Sequence, residues 1–134
     1  MTTLQKTAIG YFVALMGAAS LNYVPGLTDA EGRAFGIFAL DIFDDALHVA
    51  SALWALGAAL ISHRASRMFL LIFGALYLGD GVFGFFTGYG YLDLGIFTNA
   101  SEGISFTIFR VLANLPHIAL GGFALFAVWK LDTK

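Results

Sequence analysis

Four stretches of this chain, residues 7–24, 42–62, 68–86 and 110–129, are long and apolar enough, or nearly so, to cross a lipid bilayer. A crossing takes roughly 20 mainly apolar residues in helical form. Hydrocarbon offers a backbone N–H or C=O no partner, so such stretches become helices or strands of a closed barrel. Barrel strands alternate apolar and polar residues over about 10 positions. Met68-Phe-Leu-Leu-Ile-Phe73 does not alternate, so helices are predicted. Composition agrees, with 59% hydrophobic and 12% charged residues among 134, against about 45–50% and 25% in a soluble domain. That balance, with a net charge of −2, excludes a disordered chain and a basic nucleic-acid-binding face. The expected partner is the lipid bilayer, not nucleic acid. Without cysteine there is no disulfide, thiolate metal ligand or cysteine nucleophile. The first stretch also has the marks of a signal peptide, Lys6, an apolar core and Gly17-Ala-Ala-Ser20; the expectation is that it stays as a span.

Basic residues near span ends set orientation. Lys6, Arg64, Arg67, Lys130 and Lys134 share one side with Asp132. The other side holds Arg33 and Arg110 among Asp29, Glu31, Asp41, Asp44, Asp45, Asp93 and Glu102. Both termini are therefore expected to be cytoplasmic, with the 25–41 and 87–109 segments outside as short helices or re-entrant caps. The connection Ser62 to Arg67 is short and makes its two flanking spans antiparallel neighbours.

The halves of the chain repeat. Phe12-Val-Ala-Leu-Met-Gly17 parallels Phe69-Leu-Leu-Ile-Phe-Gly74, and Phe35-Gly-Ile-Phe38 parallels Leu94-Gly-Ile-Phe97. Asp45-Ala-Leu-His-Val-Ala50 parallels Asn114-Leu-Pro-His-Ile-Ala119. The expected fold is an all-α membrane protein. It is a four-helix transmembrane bundle of two tandem helical-hairpin repeats, residues 7–62 and 68–129, forming the single domain 1–134. Two-span units share one orientation, so equivalent residues lie at equal depth.

Asn22-Tyr-Val-Pro-Gly-Leu-Thr28, Phe35-Gly-Ile-Phe38 with Asp45-Ala-Leu-His48, Arg64-Ala-Ser-Arg-Met-Phe-Leu70 and Leu115-Pro-His-Ile-Ala-Leu-Gly121 together resemble family 4383 of the domains of unknown function. The resemblance covers nearly the whole chain. It implies a bacterial four-helix protein of the inner membrane with no assigned activity. That family's second helix reads Asn-x-x-His, where this chain has Asp45 before His48, with Asp44 preceding.

An ionisable group inside a span costs about 2.5–3.5 kcal/mol on insertion scales, so His48, Asp80 and His117 require an explanation. Each falls roughly 9–11 Å from the outer end of its predicted helix at about 1.5 Å per residue. Helical spacing aligns Asp44, His48, Ser51 and Ala55 on one face. It likewise aligns Arg110, Asn114, His117 and Gly121, and Tyr77, Asp80 and Gly84. A common polar layer in the outer half of the bundle is predicted. Pro116 either bends its helix or opens a shorter one capped by Asn114.

Several uses of this layer are open. In the plainest, the polar groups hydrogen-bond across helices and fix packing. In a second, His48 and His117 are axial ligands of one b-type haem, with Asp44, Asp45 or Asn114 orienting the rings and Gly81, Gly121 and Gly122 clearing space. In a third, Asp44, Asp45, His48, Asp80 and His117 bind a transition metal ion. A transport path or quinone pocket with Asp80 as proton carrier is the last. Arg110, Asn114 and Ser51 are expected around the site, Arg110 neutralising Asp44 or Asp45. His63 is expected to be a solvated loop residue. The chain has no Gly-x-Ser-x-Gly or His-Glu-x-x-His motif. The resulting expectation is a small membrane binding or accessory protein, not an enzyme, acting as a homo-oligomer or beside other membrane subunits.

Overall fold

The computed structural model describes residues 1–38, 41–104 and 106–132; Lys134 of the orientation argument lies outside the described residues. The elements are α1 (Thr3–Ser20), α2 (Ile42–Ile61), α3 (His63–Thr87), the short α4 (Gly95–Thr98) and α5 (Ile108–Leu131). Short 3-10 turns cover Leu21–Tyr23 and Ala100–Glu102. The described residues hold no strand; Thr28–Ala34 and Ala34–Phe38 are isolated antiparallel bridges. The molecule is all-helical, and α2, α3 and α5 are long and apolar enough to cross a membrane. α1 is not among them. It has 18 residues, and its first turns carry Gln5, Lys6 and Thr7.

The ends of the helices follow from local chemistry. Thr2 and Gln5 form a capping box that starts α1 four residues earlier than the apolar stretch suggests. Asp41 accepts from the Phe43 and Asp44 amides while Asp44 accepts from the Asp41 amide, starting α2. Thr107 caps α5, which runs unbroken past Pro116, so the shorter helix capped at Asn114 does not form. The connection between α2 and α3 is shorter than the expected six residues. Ser62 alone, at φ −171°, ends α2 and caps α3 through Ala65 N–H. Arg64 and Arg67 are consequently helical. Gly88, at φ 91°, ends α3 in the left-handed conformation glycine favours.

α1 packs chiefly on α2, and α3 on α5. The buried residues of α1, Leu4, Ala8, Tyr11, Leu15 and Ala19, are three and four apart, one face of a helix. Along α3, Phe69, Phe73 and Tyr77 form a column with ring centroids 5.1 and 3.9 Å apart. Tyr11 and Trp54 meet it edge-on. The α3–α5 contact is made close by glycine. A Cβ on Gly121 would lie 2.2 Å from Leu78 N, and one on Gly81 2.5 Å from Ile118 Cγ1. These glycines seat one helix against another, as small residues do in lipid.

At the end holding the α2–α3 junction, His63 contradicts its expected solvated role. Its Nδ1 meets Thr2 Oγ1 at 3.0 Å and its Nε2 meets Asp132 Oδ1 at 2.8 Å, while Arg67 donates to Asp132 at 2.9 Å. One imidazole thus ties the start of α1 and the end of α5 to the start of α3. The Arg67 hydrogen bond, then the His63 one, holds the Asp132 carboxyl below the usual carboxylate range. A carboxyl depressed by folding stabilises at any pH above its unfolded value, and that contribution is lost as pH falls through its folded value. Asp132→Asn is expected to lower the melting temperature slightly at neutral pH, as for exposed pairs. The gap from wild type should close below about pH 4; a gap unchanged down to pH 2.5 would contradict the pairing.

Candidate functional site

The structure brings His48, Asp80, His117, Tyr77 and Ser51 together. His48 and His117 face each other across the bundle with ring centroids 6.1 Å apart and planes at 82°. His117 Nδ1 is hydrogen-bonded to Asp80 Oδ2. Tyr77 extends the aromatic column to His117, ring centroids 4.9 Å apart, and its hydroxyl meets Ser51 Oγ at 3.1 Å. Asp80 is 1% exposed and His48 6%. Three of the four long helices therefore contribute to one buried polar cluster.

The other oxygen of Asp80 has partners that helical spacing could not indicate. Asp80 Oδ1 accepts from the backbone N–H of Tyr91 at 2.7 Å and of Leu92 at 2.8 Å. After Gly88 the chain folds back over the end of α3, and Gly90 passes so close that an added Cβ would stand 2.6 Å from Asp80 Oδ1. Residues 88–98 thus form a cap. Its amides would otherwise be orphaned in an apolar setting, where an unpaired backbone group is costly. Asp80 serves the cap with one oxygen and the imidazole with the other.

The cap also brings in Asp93, an acid that none of the aligned helix faces contains. Asp93 Oδ1 accepts from Gly95 N at 2.9 Å, and its carboxyl lies near that of Asp44. The only signal in sequence was an acid inside an otherwise apolar Tyr91-Leu-Asp-Leu-Gly95. Tyr91 likewise reaches back, its hydroxyl donating to Leu76 O at 2.9 Å.

Other expected members do not join. Asp45 accepts from the Tyr23 hydroxyl at 3.0 Å. Arg110 does not neutralise Asp44 or Asp45. It pairs with Glu102 at 2.9 Å and stacks over the Tyr89 ring at 3.8 Å, because Glu102 arrives beside it on the turn before α5. Burial, then the hydrogen bond to Glu102, raises the Tyr89 hydroxyl pKa. Asn114 orients neither imidazole. Its amide donates to Arg110 O at 2.7 Å, and its oxygen occupies the space beside Gly84, 1.9 Å from where a Cβ would be.

Among the described residues, no three His, Asp or Glu side chains are grouped so as to hold a metal ion. The set Asp44, Asp45, His48, Asp80 and His117 is divided between α2's first turn, the cap and the imidazole pair. Of the residues in the haem reading, the two rings face each other, Tyr77 packs against His117, and Gly81 and Gly121 lie against the neighbouring helix, while Gly122 is open. Against protein-family models, curated proteins and solved structures, the chain has no match.

Proposed function

We propose that this chain is a small integral membrane protein of accessory type, without turnover of its own, whose buried His/Asp layer holds an outer cap in a fixed form. The observation that carries this reading is Asp80. Its carboxylate accepts from His117 and from two cap amides, so the bundle's most buried acid is used within the protein. The cap and the neighbouring loop carry exposed Phe97, Ile104 and Phe106, which suit an interfacial surface or contact with other membrane subunits.

Four spans with both termini cytoplasmic belong to the same proposal. α1 buries one face while exposing Val13 and Met16, as a lipid-facing helix does, and Lys6, Arg64, Arg67 and Lys130 support the orientation. The tandem repeat is supported by a backbone feature. Phe35 and Leu94, equivalent in the repeat, are the two non-glycine residues with positive φ among those described, at 54° and 63°. A bulky residue there is an outlier, so its recurrence at matched positions argues for a duplicated unit. The resemblance to family 4383, and with it the bacterial inner membrane, is part of this proposal and implies architecture, not a reaction.

One observation favours a second reading. His48 Nδ1 is buried with no partner among the described residues. An ion between His48 and the free Nε2 of His117, with Asp80 orienting the second ring, would follow the carboxylate–histidine–metal pattern. Elemental analysis and visible absorbance of the purified protein decide between these readings. The cap reading expects colourless, metal-free protein, with His48→Ala still folded. A stoichiometric metal ion lost in both His48→Ala and His117→Ala, or a Soret band lost in both, would replace it with the ion or haem reading.

A further inference from the structure

A groove of about 530 Å3 runs between α1 and α5, away from the polar layer, lined by Thr3, Lys6, Gly10 and Ala14 on one side and Ala119 and Phe123 on the other. Its volume is that of a ligand site, commonly about 300–1,000 Å3. Lys6, Gly10 and Ala14 are four apart and share a helix face, so the groove follows α1 for roughly 12 Å. A Cβ on Gly10 would meet nothing within 4 Å, so the trough is open where an ordinary side chain would fill it. Tyr11, 4% exposed with its hydroxyl donating to Leu120 O, forms the floor.

The ends of this groove differ. One is apolar. At the other, Lys6 is exposed and has no ion-pair partner among the described residues, and it stands on the first turns of α1, whose amide end carries partial positive charge. An apolar trough closed by an unpaired cation matches an amphiphile with an anionic head. A neutral quinone would leave Lys6 unused, and the acid a second copy would bring to this end, Asp132, is already paired with Arg67 and His63.

We propose that this groove binds an anionic phospholipid, one acyl chain lying along Gly10 and Ala14 and the phosphate at Lys6. The inference rests on α1 lying in the bilayer. That premise has its own readout: cysteines placed at Val13 and Met16 should resist a membrane-impermeant maleimide.

The test is native mass spectrometry of the detergent-solubilised protein with equal amounts of phosphatidylglycerol and phosphatidylcholine. Wild type should retain the anionic lipid about fivefold over the neutral one, the size expected of one basic residue at a charged surface. Lys6→Glu should abolish that preference. Gly10→Leu, whose Cβ would meet nothing within 4 Å, should fold as wild type and lose bound lipid of both kinds. Equal retention of the two lipids by wild type, a lipid-free dimer, or Gly10→Leu that retains lipid would each overturn the proposal. Protected cysteines with such a result reject the lipid site alone, whereas labelled cysteines reject the span.

Discussion

Asp80→Ala is expected to release the cap formed by residues 88–98 and cost about 2–5 kcal/mol of stability. The lower part of that range comes from three hydrogen bonds at about 0.6–2 kcal/mol each in a membrane setting. The upper part comes from leaving buried partners unpaired, which in other proteins costs about 3–5 kcal/mol when one member of a buried pair is removed. The Tyr91 and Leu92 amides and His117 Nδ1 all lose their acceptor together. Hydrogen exchange should therefore accelerate at Tyr91 and Leu92 and stay slow in the middle of α3. A fall in melting temperature of roughly 10 °C should accompany it. Asp80→Asn keeps an oxygen for the cap amides and should retain most of their protection. Gly90→Ala tests the same contact from the other side, because its Cβ would strike Asp80 Oδ1. Unchanged protection of Tyr91 and Leu92 in Asp80→Ala would mean the cap is held by something else.

Gly121→Ala is expected to be the most damaging methyl group that can be added to the helices. Its Cβ would stand 2.2 Å from Leu78 N, 2.7 Å from Leu78 Cα and 2.8 Å from Gly74 O. These are backbone atoms, which cannot rotate aside, so α3 and α5 must separate. Overpacking generally costs about 1–3 kcal/mol, and the rigid neighbours put this case at or beyond the upper end. The pair also carries Asp80 and His117, so separation should loosen the polar layer and the cap together. The next residue provides the control. A Cβ on Gly122 meets nothing within 4 Å, so Gly122→Ala should be neutral or slightly stabilising through helix propensity. Equal melting temperatures for the two variants would rule out the close approach.

Much of the candidate site was legible because helices are periodic. His48, Asp80 and His117 could be assigned to facing stripes at similar depth from spacing alone, and the rings do meet. The partners of the outer residues were not legible in the same way. Arg110 was matched to acids near it in depth, but its actual partner, Glu102, lies on a turn whose path depends on the loop before α5. Asn114 fell on the right face yet fills the space beside Gly84, a fact about how closely two helices approach. His63 read as a loop residue because six residues were allotted to a connection that Ser62 makes alone.

The apolar stretches and the spacing of residues along them determined that this chain is helical and which faces are buried. Both follow from requirements each helix meets by itself: its backbone must be satisfied within the segment, and its side chains recur every 3.6 residues. What Asp80 is for was decided only by the tertiary structure. A carboxylate takes whichever donors reach it, and two of these come from a cap whose backbone path no periodicity encodes. Close packing at Gly121 and Gly84 then holds α3 and α5 at the separation that lets Asp80 reach His117.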